Sequence, residues 1–481
     1  MTTSHEDLCY TSAVELIQLI KSREISPVEV IDAVTKRIDE VNPKVNAFIT
    51  RTDAIARATA EKVAHILKTE GPGALPPLAG IPVSIKDLTD TAGVRTTYGS
   101  AEFIDNMSDE DAHVAARIRT AGGALIGKAS TPAFGWLGVT DNDIIGTTNN
   151  PWALNHTVGG SSGGSGAIVA AGMGPLATGS DGGGSIRIPA AMCGIVGLKP
   201  SHGRIPRGAE SPLFHTGDAL GPMARTVADA ALLFGIMAGP VEDEPYMLPE
   251  EGVDYVADLR AHALGKLRIA YCPNWGVGEV DPEVAKAVDS AARHFESVLG
   301  CVVDMVNVDV ADPMEFFNTY YPVMLKNEAD AMPALIAHAK RYRRMQGFTD
   351  QQAHVLSHDW YTAVTESREQ SFRAIANVFS QYDLLLTPTS PVAAWPHPED
   401  FGGPHAINGK PVKFPTIDFY RFTEPTGHSG HPSMTINCGF SQTGLPIGLQ
   451  IIGPQRDDRR VLRSGAAYEA TTHWKDRRPN L

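Results

Sequence analysis

The feature that most constrains the fold of this chain is its centre, residues 146–204, where glycine and serine are dense and charged residues are sparse. Two Gly/Ser clusters, GGSSGGSG at 159–166 and GSDGGGS at 179–185, flank an apolar stretch at 167–173 with helical spacing. Composition alone would allow a flexible linker. The apolar segments between and after the clusters need burial, so we predict an ordered, glycine-rich centre instead.

The chain is long enough to enclose a large core and is strongly acidic. It has 481 residues, of which 43% are hydrophobic and 20% charged, and this composition excludes a disordered or fibrous protein. The formal net charge is −14. Because such a chain lacks the excess positive charge that neutralises phosphates, we expect no nucleic acid and no membrane surface among its partners.

Cysteine usage and the N-terminal residues bear on the cellular compartment. The five cysteines are odd in number, widely separated and form no CxxC pair. This pattern suits a reducing compartment and argues against a disulfide framework or a zinc knuckle. The N-terminus lacks the basic and apolar regions of a signal peptide, and no segment looks like a membrane span. The sequence therefore predicts a cytoplasmic protein.

Strand and helix patterns alternate along the chain and predict an α/β protein. The segment SPVE at 26–29 has the cap, proline and glutamate of a helix start, and Asn42-Pro43 is expected to end that helix. Further helices are predicted at 53–69, 111–121, 282–299, 313–347, 351–380 and 457–470. Strands are predicted at 81–87, 123–129, 268–272, 301–308, 384–388, 434–438 and 448–453. With no internal repeat and no clear boundary, residues 1–481 are predicted to form a single large domain.

Three motif-like patterns do not hold up. GGALIGKA at 122–129 fits GxxxxGK, but Ala129 stands where a phosphate-binding loop needs a hydroxyl for magnesium. GGSSG at 159–163 fits the GxSxG of a nucleophile elbow, but no apolar strand precedes it. The 16 histidines form no clustered ligand pattern, so no metal site is predicted. Three of them are interpreted as polar surface or loop residues: His202, His428 and His431.

The sequence GGGS at 182–185 can place consecutive backbone N–H groups around one point, because glycines adopt angles that other residues avoid. Such a nest becomes an oxyanion hole when a nucleophile lies beside it, and Ser185 occupies that position. Asp181 and Arg187 flank the loop, where an ion pair or hydrogen bonds could hold it rigid. A glycine turn with an incidental serine remains the alternative.

A serine nucleophile needs a base, and Lys86 is the candidate that stands out. It lies in the apolar strand pattern at 81–87, where lysine is unusual. Burial disfavours the charged form of lysine and lowers its pKa, so that a neutral amine can accept a proton. Two alternatives stay open: a surface lysine at a strand end, and a base provided by a histidine distant in sequence.

Taken together, these motifs resemble the amidase signature family. The resemblance extends over most of the chain, in family order, through the segments 80–87, 146–172, 179–201, 383–391 and 444–453. It implies one domain with a central mixed β-sheet covered by helices on both faces. A helical N-terminal region would cover about 1–70 and a variable substrate-pocket region about 240–380. No metal and no organic cofactor are implied.

The resemblance also implies a Ser–cis-Ser–Lys triad. Ser185 would be the nucleophile, Ser161 would follow a cis peptide bond and relay the proton, and Lys86 would be the neutral base. The backbone N–H groups of the oxyanion hole would come from Gly182, Gly183, Gly184 and Ser185. Supporting roles are implied for Gly160, Ser162, Asp181 and Arg187.

The chain departs from the family pattern near this site. Ser180 stands where threonine is usual, and Gly182 stands where a larger residue is common. The second departure puts the rigidity of the oxyanion loop in question.

The expected reaction is hydrolysis of an amide bond through an acyl-enzyme. Aromatic residues near the motifs favour bulky or aryl amides and anilides, with carbamates (urethanes) and esters as further substrates. The pocket candidates, for each of which core packing is the alternative, are Phe134, Trp136, Phe317, Tyr320 and Tyr321. The alternative functions are a glutamine amidotransferase subunit that supplies ammonia to a partner, and an inactive binding module. A monomer or homodimer is expected.

Overall fold

The computed structural model describes residues 5–208, 217–260, 264, 266–313, 363–397, 403–412 and 418–481. Thirteen α-helices occur in these ranges. They are α1 His5–Tyr10, α2 Ala13–Lys21, α3 Pro27–Val45, α4 Asp53–Thr69, α5 His113–Thr120, α6 Gly163–Ala170, α7 Arg187–Cys193, α8 Val227–Met237, α9 Tyr255–Asp258, α10 Pro282–Ser297, α11 Arg368–Phe379, α12 Glu424–Ser429 and α13 Asp458–Ala470. None of these helices combines the length and the apolar character that crossing a bilayer requires.

Fifteen strands occur in the same ranges. They are β1 Phe48–Arg51, β2 Pro82–Lys86, β3 Ala124–Ala129, β4 Asn149–Asn150, β5 Ala153–Thr157, β6 Leu176–Asp181, β7 Val196–Lys199, β8 Ala219–Ala224, β9 Arg268–Tyr271, β10 Val302–Met305, β11 Leu384–Pro388, β12 Ala406–Ile407, β13 Lys410–Pro411, β14 Ser433–Phe440 and β15 Pro446–Ile452. Eleven of them form one sheet in the order β1-β3-β2-β6-β8-β7-β14-β15-β11-β9-β10. Strand β2 runs parallel to both of its neighbours, whereas β6 runs antiparallel to β8. The prediction of an α/β fold with a mixed sheet is confirmed.

Helices pack on both faces of this sheet. In β3, Leu125 joins a core cluster that includes α5 and α8, whereas Ala124 and Ile126 join a second cluster with α3 and α6. This alternation is the period of two that a strand imposes on its side chains. Because both faces are apolar and covered, the strands β2, β7, β8, β11 and β15 are buried at every position. A charged side chain in such a strand therefore needs polar partners inside the protein.

Helix α3 begins as predicted and ends later than predicted. Ser26 and Glu29 form the expected capping box. The helix nevertheless continues through Pro43 to Val45, and Asn46 ends it in the left-handed conformation with φ 58°. Val45 is fully buried, and its burial favours one more turn over the ending at Asn42-Pro43.

The remaining predicted elements agree with the structure wherever it describes them, with small shifts at their ends. Helix α6 differs most, because it begins at Gly163 within the Gly/Ser cluster and not at 167. A Cβ on Gly164 would lie 2.3 Å from the backbone nitrogen of Ser130, so glycine lets this helix approach β3 closely. The predicted helix at 313–347 lies outside the described residues except for its first position. Of the helix predicted at 351–380, the described part is a π-helical turn, Ala363–Ser367, followed by α11.

Two buried carboxylates hold the N-termini of helices in this core. Asp229 accepts a hydrogen bond from the backbone N–H of Val14 (3.0 Å), and Glu469 accepts one from that of Val227 (2.9 Å). Both N–H groups lie in the first turn of a helix, where a backbone N–H has no acceptor within the helix itself. Burial, reinforced by the neighbouring charge of Asp229, raises the pKa of Glu469 to about 7.

The raised pKa of Glu469 predicts that acid stabilises this junction. Between its ordinary value of about 4.5 and about 7, the folded protein holds a proton that the unfolded chain has released, so stability falls as the pH rises through this window. We expect Glu469→Gln to raise the free energy of unfolding at pH 8 by about 1–3 kcal/mol and to change it little at pH 4. Urea unfolding at both pH values measures this. The exposed Glu296→Gln is the control, and equal effects of the two substitutions would contradict the prediction.

Candidate active site

Lys86 is the last residue of β2 and is only 1% exposed. Its Nζ atom forms hydrogen bonds with Ser161 Oγ (2.6 Å) and Ser180 Oγ (2.8 Å). The lysine is therefore a buried residue held between two hydroxyl groups, and the alternative of a surface lysine is wrong. Ser180 enters the site as a direct contact of the lysine, although the sequence singled it out only as a departure from the family pattern.

The peptide bond between Gly160 and Ser161 is cis, as the resemblance implied. A Cβ on Gly160 would lie 2.7 Å from the carbonyl oxygen of Leu137, so the adjacent backbone requires glycine at this position. Ser161 itself is buried, and it precedes the first turn of α6. The second Gly/Ser cluster lies alongside, because the backbone N–H of Ser162 donates to the carbonyl of Ser185 (3.1 Å).

Asp181 and Arg187 close the turn that carries Ser185. Both side chains are fully buried, and the Nε and Nη2 atoms of Arg187 donate to the two carboxylate oxygens of Asp181 at 2.8 and 2.6 Å. The backbone N–H groups of Ile186 and Arg187 donate to the same carboxylate. Burial alone would raise the pKa of Asp181, but the charge and hydrogen bonds of Arg187 outweigh burial and lower it. The expected ion pair across the turn is confirmed.

The backbone N–H groups of Gly182, Gly183, Gly184 and Ser185 donate to no acceptor in the described part of the chain. They are adjacent in sequence to Ser185, so their role as an oxyanion hole stays a prediction. Thr423 Oγ1 donates to the carbonyl of Gly183 and fixes the turn from outside. A Cβ on Gly427 would lie 2.4 Å from the carbonyl oxygen of Gly182, so this part of the turn is closely packed as well.

The other edge of the Arg187 guanidinium extends the network to residues that sequence reasoning missed. Its Nη1 atom donates to the carbonyl of Thr423 (2.8 Å), to Thr426 Oγ1 and to Gln450 Oε1 (2.7 Å). Gln450 is a fully buried polar residue in the apolar strand β15. That is the same signal that drew attention to Lys86, and it could have found this residue. Nothing in the local sequence marks Thr423 or Thr426.

The side chain of Ser162 supports the site through the end of strand β6. Its Oγ donates to the carbonyl of Ser180 and accepts from the backbone N–H of the same residue, both at 3.2 Å. The side chain therefore holds the end of β6, where Ser180 contacts Lys86.

Of the five pocket candidates, two lie in the described residues. Phe134 has φ 53°, stacks on Tyr98 and meets Phe103 edge to face. A Cβ on the next residue, Gly135, would lie 3.2 Å from Ser161 Oγ, so this aromatic cluster borders the site. Trp136 is partly buried against a core cluster that includes Leu137, Trp395 and Phe419. Phe317, Tyr320 and Tyr321 lie outside the described residues.

Neither His428 nor His431 is a surface residue, because both side chains are buried. His428 lies in α12, so the interpretation is wrong for this residue, whereas His431 does lie in the loop between α12 and β14. His428 pairs with the buried carboxylate of Glu424 one helical turn earlier. His431 bonds Ser429 Oγ through Nδ1 (2.9 Å), and burial lowers its pKa to about 3. Within the described ranges, no three potential ligands of the His, Cys, Asp or Glu type gather in a metal-binding arrangement.

Comparison with known proteins agrees with this geometry. The family model Amidase matches residues 29–462. An acylamidase of Rhodococcus erythropolis is 36% identical, with 99% of this chain and 98% of the relative covered. A subunit of the glutamyl-tRNA(Gln) amidotransferase of Carboxydothermus hydrogenoformans is 35% identical, with 99% and 100% covered. Among solved structures, a bacterial aryl acylamidase superposes with a TM-score of 0.89 at 30% identity, with 97% and 98% covered.

The chain belongs to the amidase signature family. As a member of this family it is a hydrolase that acts on carbon–nitrogen bonds. Its relatives of high coverage include both acylamidases and amidotransferase subunits, so membership alone leaves the substrate open.

The Asp181–Arg187 pair predicts a large effect of neutralising its acid. Asp181→Asn leaves a buried guanidinium without its counter-charge, which costs about 3–5 kcal/mol of stability. We expect a loss of that order in urea unfolding and a loss of hydrolytic activity, since the turn carrying Ser185 is released. The control is Glu369→Gln, which removes the exposed ion pair with Arg373 and should change stability little. Similar effects of both substitutions would contradict the prediction.

Proposed function

We propose that this amidase signature protein hydrolyses carboxylic amides through an acyl-enzyme on Ser185. The observation that carries the proposal is the 2.6 Å hydrogen bond between Lys86 Nζ and Ser161 Oγ, in a buried site bordered by the turn that holds Ser185. A buried amine, a relay hydroxyl and a second hydroxyl beside free N–H groups supply a base, a proton path and an oxyanion site.

The reaction runs in two halves. In the first, the proton of Ser185 passes through Ser161 to Lys86, and Ser185 Oγ attacks the carbonyl carbon. The N–H groups of the turn bind the oxyanion, and the C–N bond breaks as the leaving amine takes the proton back by way of Ser161. In the second half, water attacks the ester, delivers its proton along the same path, and releases the acid and the free serine.

For the substrate we propose bulky or aryl amides and anilides, with carbamates and esters as further substrates. We assign the apolar wall of the pocket to Phe134 and its ring partners Tyr98 and Phe103, because Gly135, the residue after Phe134, adjoins Ser161. The similarity to an acylamidase and to an aryl acylamidase supports the same class. The second candidate is a glutamine amidotransferase subunit, which the 35% identity to a protein of that kind favours.

A substrate panel separates these two functions. We expect the purified chain to hydrolyse an acyl anilide and an aryl carbamate faster than acetamide or glutamine, because an aromatic wall stabilises an apolar substrate. Release of the aromatic amine and of ammonia measures the rates. Activity on glutamine alone would contradict the anilide preference and support the amidotransferase function.

Substitutions at the three proposed catalytic residues test their roles. Ser185→Ala should lose turnover, because it removes the nucleophile. Lys86→Ala should lose turnover and Ser161→Ala should reduce kcat by at least about 10²-fold, because each of them interrupts the proton path. The matched control is Ser84→Ala, two residues before Lys86 on β2, whose buried Oγ has no hydrogen-bond partner in the described part of the chain. Full activity of any of the first three variants would disprove the role of that residue.

A fluorophosphonate probe tests the nucleophile directly. The wild-type protein should gain one adduct by intact mass, and peptide mapping should place it on Ser185. No adduct, or an adduct on another serine, would contradict the proposed acyl-enzyme and favour an inactive binding module or a different nucleophile.

A further inference from the structure

Lys128 is a buried charged residue that no step of the proposed reaction uses. It belongs to the GxxxxGK pattern at 122–129, lies near the end of β3 and is only 1% exposed. Burying a lysine is costly unless its charge is paired and its N–H groups are bonded. The partners of its ammonium group therefore indicate what this residue holds in place.

The ammonium group of Lys128 lies among oxygen atoms of the loop that follows β2. Its Nζ atom donates to the carbonyl of Thr89, to Thr96 Oγ1 (2.7 Å) and to Thr91 Oγ1 (3.2 Å). The carboxylate of Asp87, which is also buried, lies 4.0 Å away. An ammonium group has three N–H donors, and this one loop supplies an acceptor for each of them.

Asp87 joins the two ends of this loop, residues 87–98. It comes directly after Lys86, and its Oδ2 atom accepts hydrogen bonds from the backbone N–H of Thr97 (3.1 Å) and from the hydroxyl of the same residue. The loop therefore begins next to the proposed base, and the carboxylate that closes it has Lys128 as its counter-charge.

The far end of the loop carries part of the aromatic wall. Tyr98 and Phe134 have φ values of 52° and 53°, a left-handed conformation that aromatic residues keep only where the surrounding contacts impose it. The backbone N–H of Phe134 donates to the carbonyl of Tyr98 (2.7 Å), and the two rings stack. The hydroxyl of Tyr98 donates to Asp90 Oδ1 (2.7 Å), which belongs to the same loop. The position of the wall thus depends on the loop.

The proposed base is held separately from this loop. The stem of Lys86 belongs to β2, and its amine is bound by the hydroxyls of Ser161 and Ser180. A displacement of the loop would therefore move the aromatic wall and leave the contacts of the amine in place.

We propose that Lys128 is a positioning residue, whose ammonium group fixes the loop 87–98 and thereby the aromatic wall of the substrate pocket. This rests on the proposed function, in which Tyr98, Phe103 and Phe134 bind the apolar part of an aryl amide. Lys128 acts through the loop, and it determines how well an aryl group fits. A displaced wall binds the aryl group less well in the ground state and in the transition state alike, which raises KM and leaves kcat unchanged.

Thr96→Val tests the proposal by removing one acceptor of Lys128 and keeping the branched side chain. We expect KM for an acyl anilide to rise by about fivefold or more with kcat within about twofold. The value of kcat/KM for acetamide and the rate of fluorophosphonate labelling at Ser185 should stay within about twofold, because neither depends on the aryl contact.

The matched control is Thr52→Val. Thr52 is a buried threonine whose hydroxyl donates to the carbonyl of Leu125 (2.7 Å), on the same strand as Lys128 but away from the loop. This control should leave all of these rates unchanged.

The double variant Lys128→Met/Asp87→Asn provides the second measurement. It removes both charges, so neither is left buried without a partner, and KM for the anilide should rise by about tenfold or more while labelling of Ser185 is retained. Thermal unfolding reports whether the fold is kept, and Thr96→Val decides alone if the double variant is unfolded.

An unchanged KM for the anilide in either folded variant would overturn the proposal. An equal loss of anilide hydrolysis, acetamide hydrolysis and labelling would overturn it too, because that pattern is expected of a residue that only stabilises the fold. Failure of the wild-type protein to label at Ser185, or activity of the wild type on glutamine alone, would instead overturn the proposed function, and with it this inference.

Discussion

The buried ion pair between Asp181 and Arg187 determines the geometry on which the rest of the site depends. Two fully buried charges are costly to desolvate, and such a pair is tolerated only when additional hydrogen bonds satisfy its remaining atoms. Here the carboxylate also accepts two backbone N–H groups, and the guanidinium also binds Thr423, Thr426 and Gln450. The pair therefore joins the end of β6, the start of α7, the 418–429 segment and β15 around one turn.

This arrangement explains how a loop rich in glycine can be rigid. Gly182 and its neighbours have no side chains to pack, so the turn is held instead by its carbonyls and by the ion pair beneath it. Gly183 accepts from Thr423, and Ser185 accepts from the backbone of Ser162. The carbonyls of Gly183, Gly184 and Ser185 accept hydrogen bonds within the protein, whereas the N–H groups of residues 182–185 donate to no acceptor in the described ranges, as the proposed oxyanion hole requires.

The parts of the molecule that could be predicted from sequence are those whose signal is local or violates a local rule. The α/β pattern, the capping box of α3 and seven of the eleven strands of the sheet follow from periodicity and caps, whereas β1, β6, β7 and β8 were not predicted. Lys86 was found because a lysine in a buried strand contradicts its surroundings, and such contradictions concentrate at functional sites. Thr423 carries no such mark, because a threonine near an apolar segment is ordinary. Its importance comes from its contact with Gly183, 240 positions earlier in the chain.

The absence of a local signal also explains why the two buried histidines were interpreted as surface residues. Their positions in the structure bear on which residue acts as the base. His428 and His431 lie in a polar, glycine-containing segment whose sequence is typical of a surface loop, yet this segment folds against the turn that carries Ser185. Once there, His428 is engaged by Glu424, and His431 is stacked on Phe379 and kept neutral by burial. A histidine distant in sequence was one alternative for the base.

These two buried histidines are committed to other partners, whereas Lys86 contacts the relay hydroxyl directly. A histidine that acts as a base needs a third group to orient its ring. A lysine has no ring to orient, and at the end of a central strand it can act as a base without such a group. The strand fixes the stem of Lys86, and the hydroxyls of Ser161 and Ser180 fix its amine. In the proposed reaction the base is thus Lys86, a polar residue that is unexpected in the apolar strand β2 and that this strand holds in place.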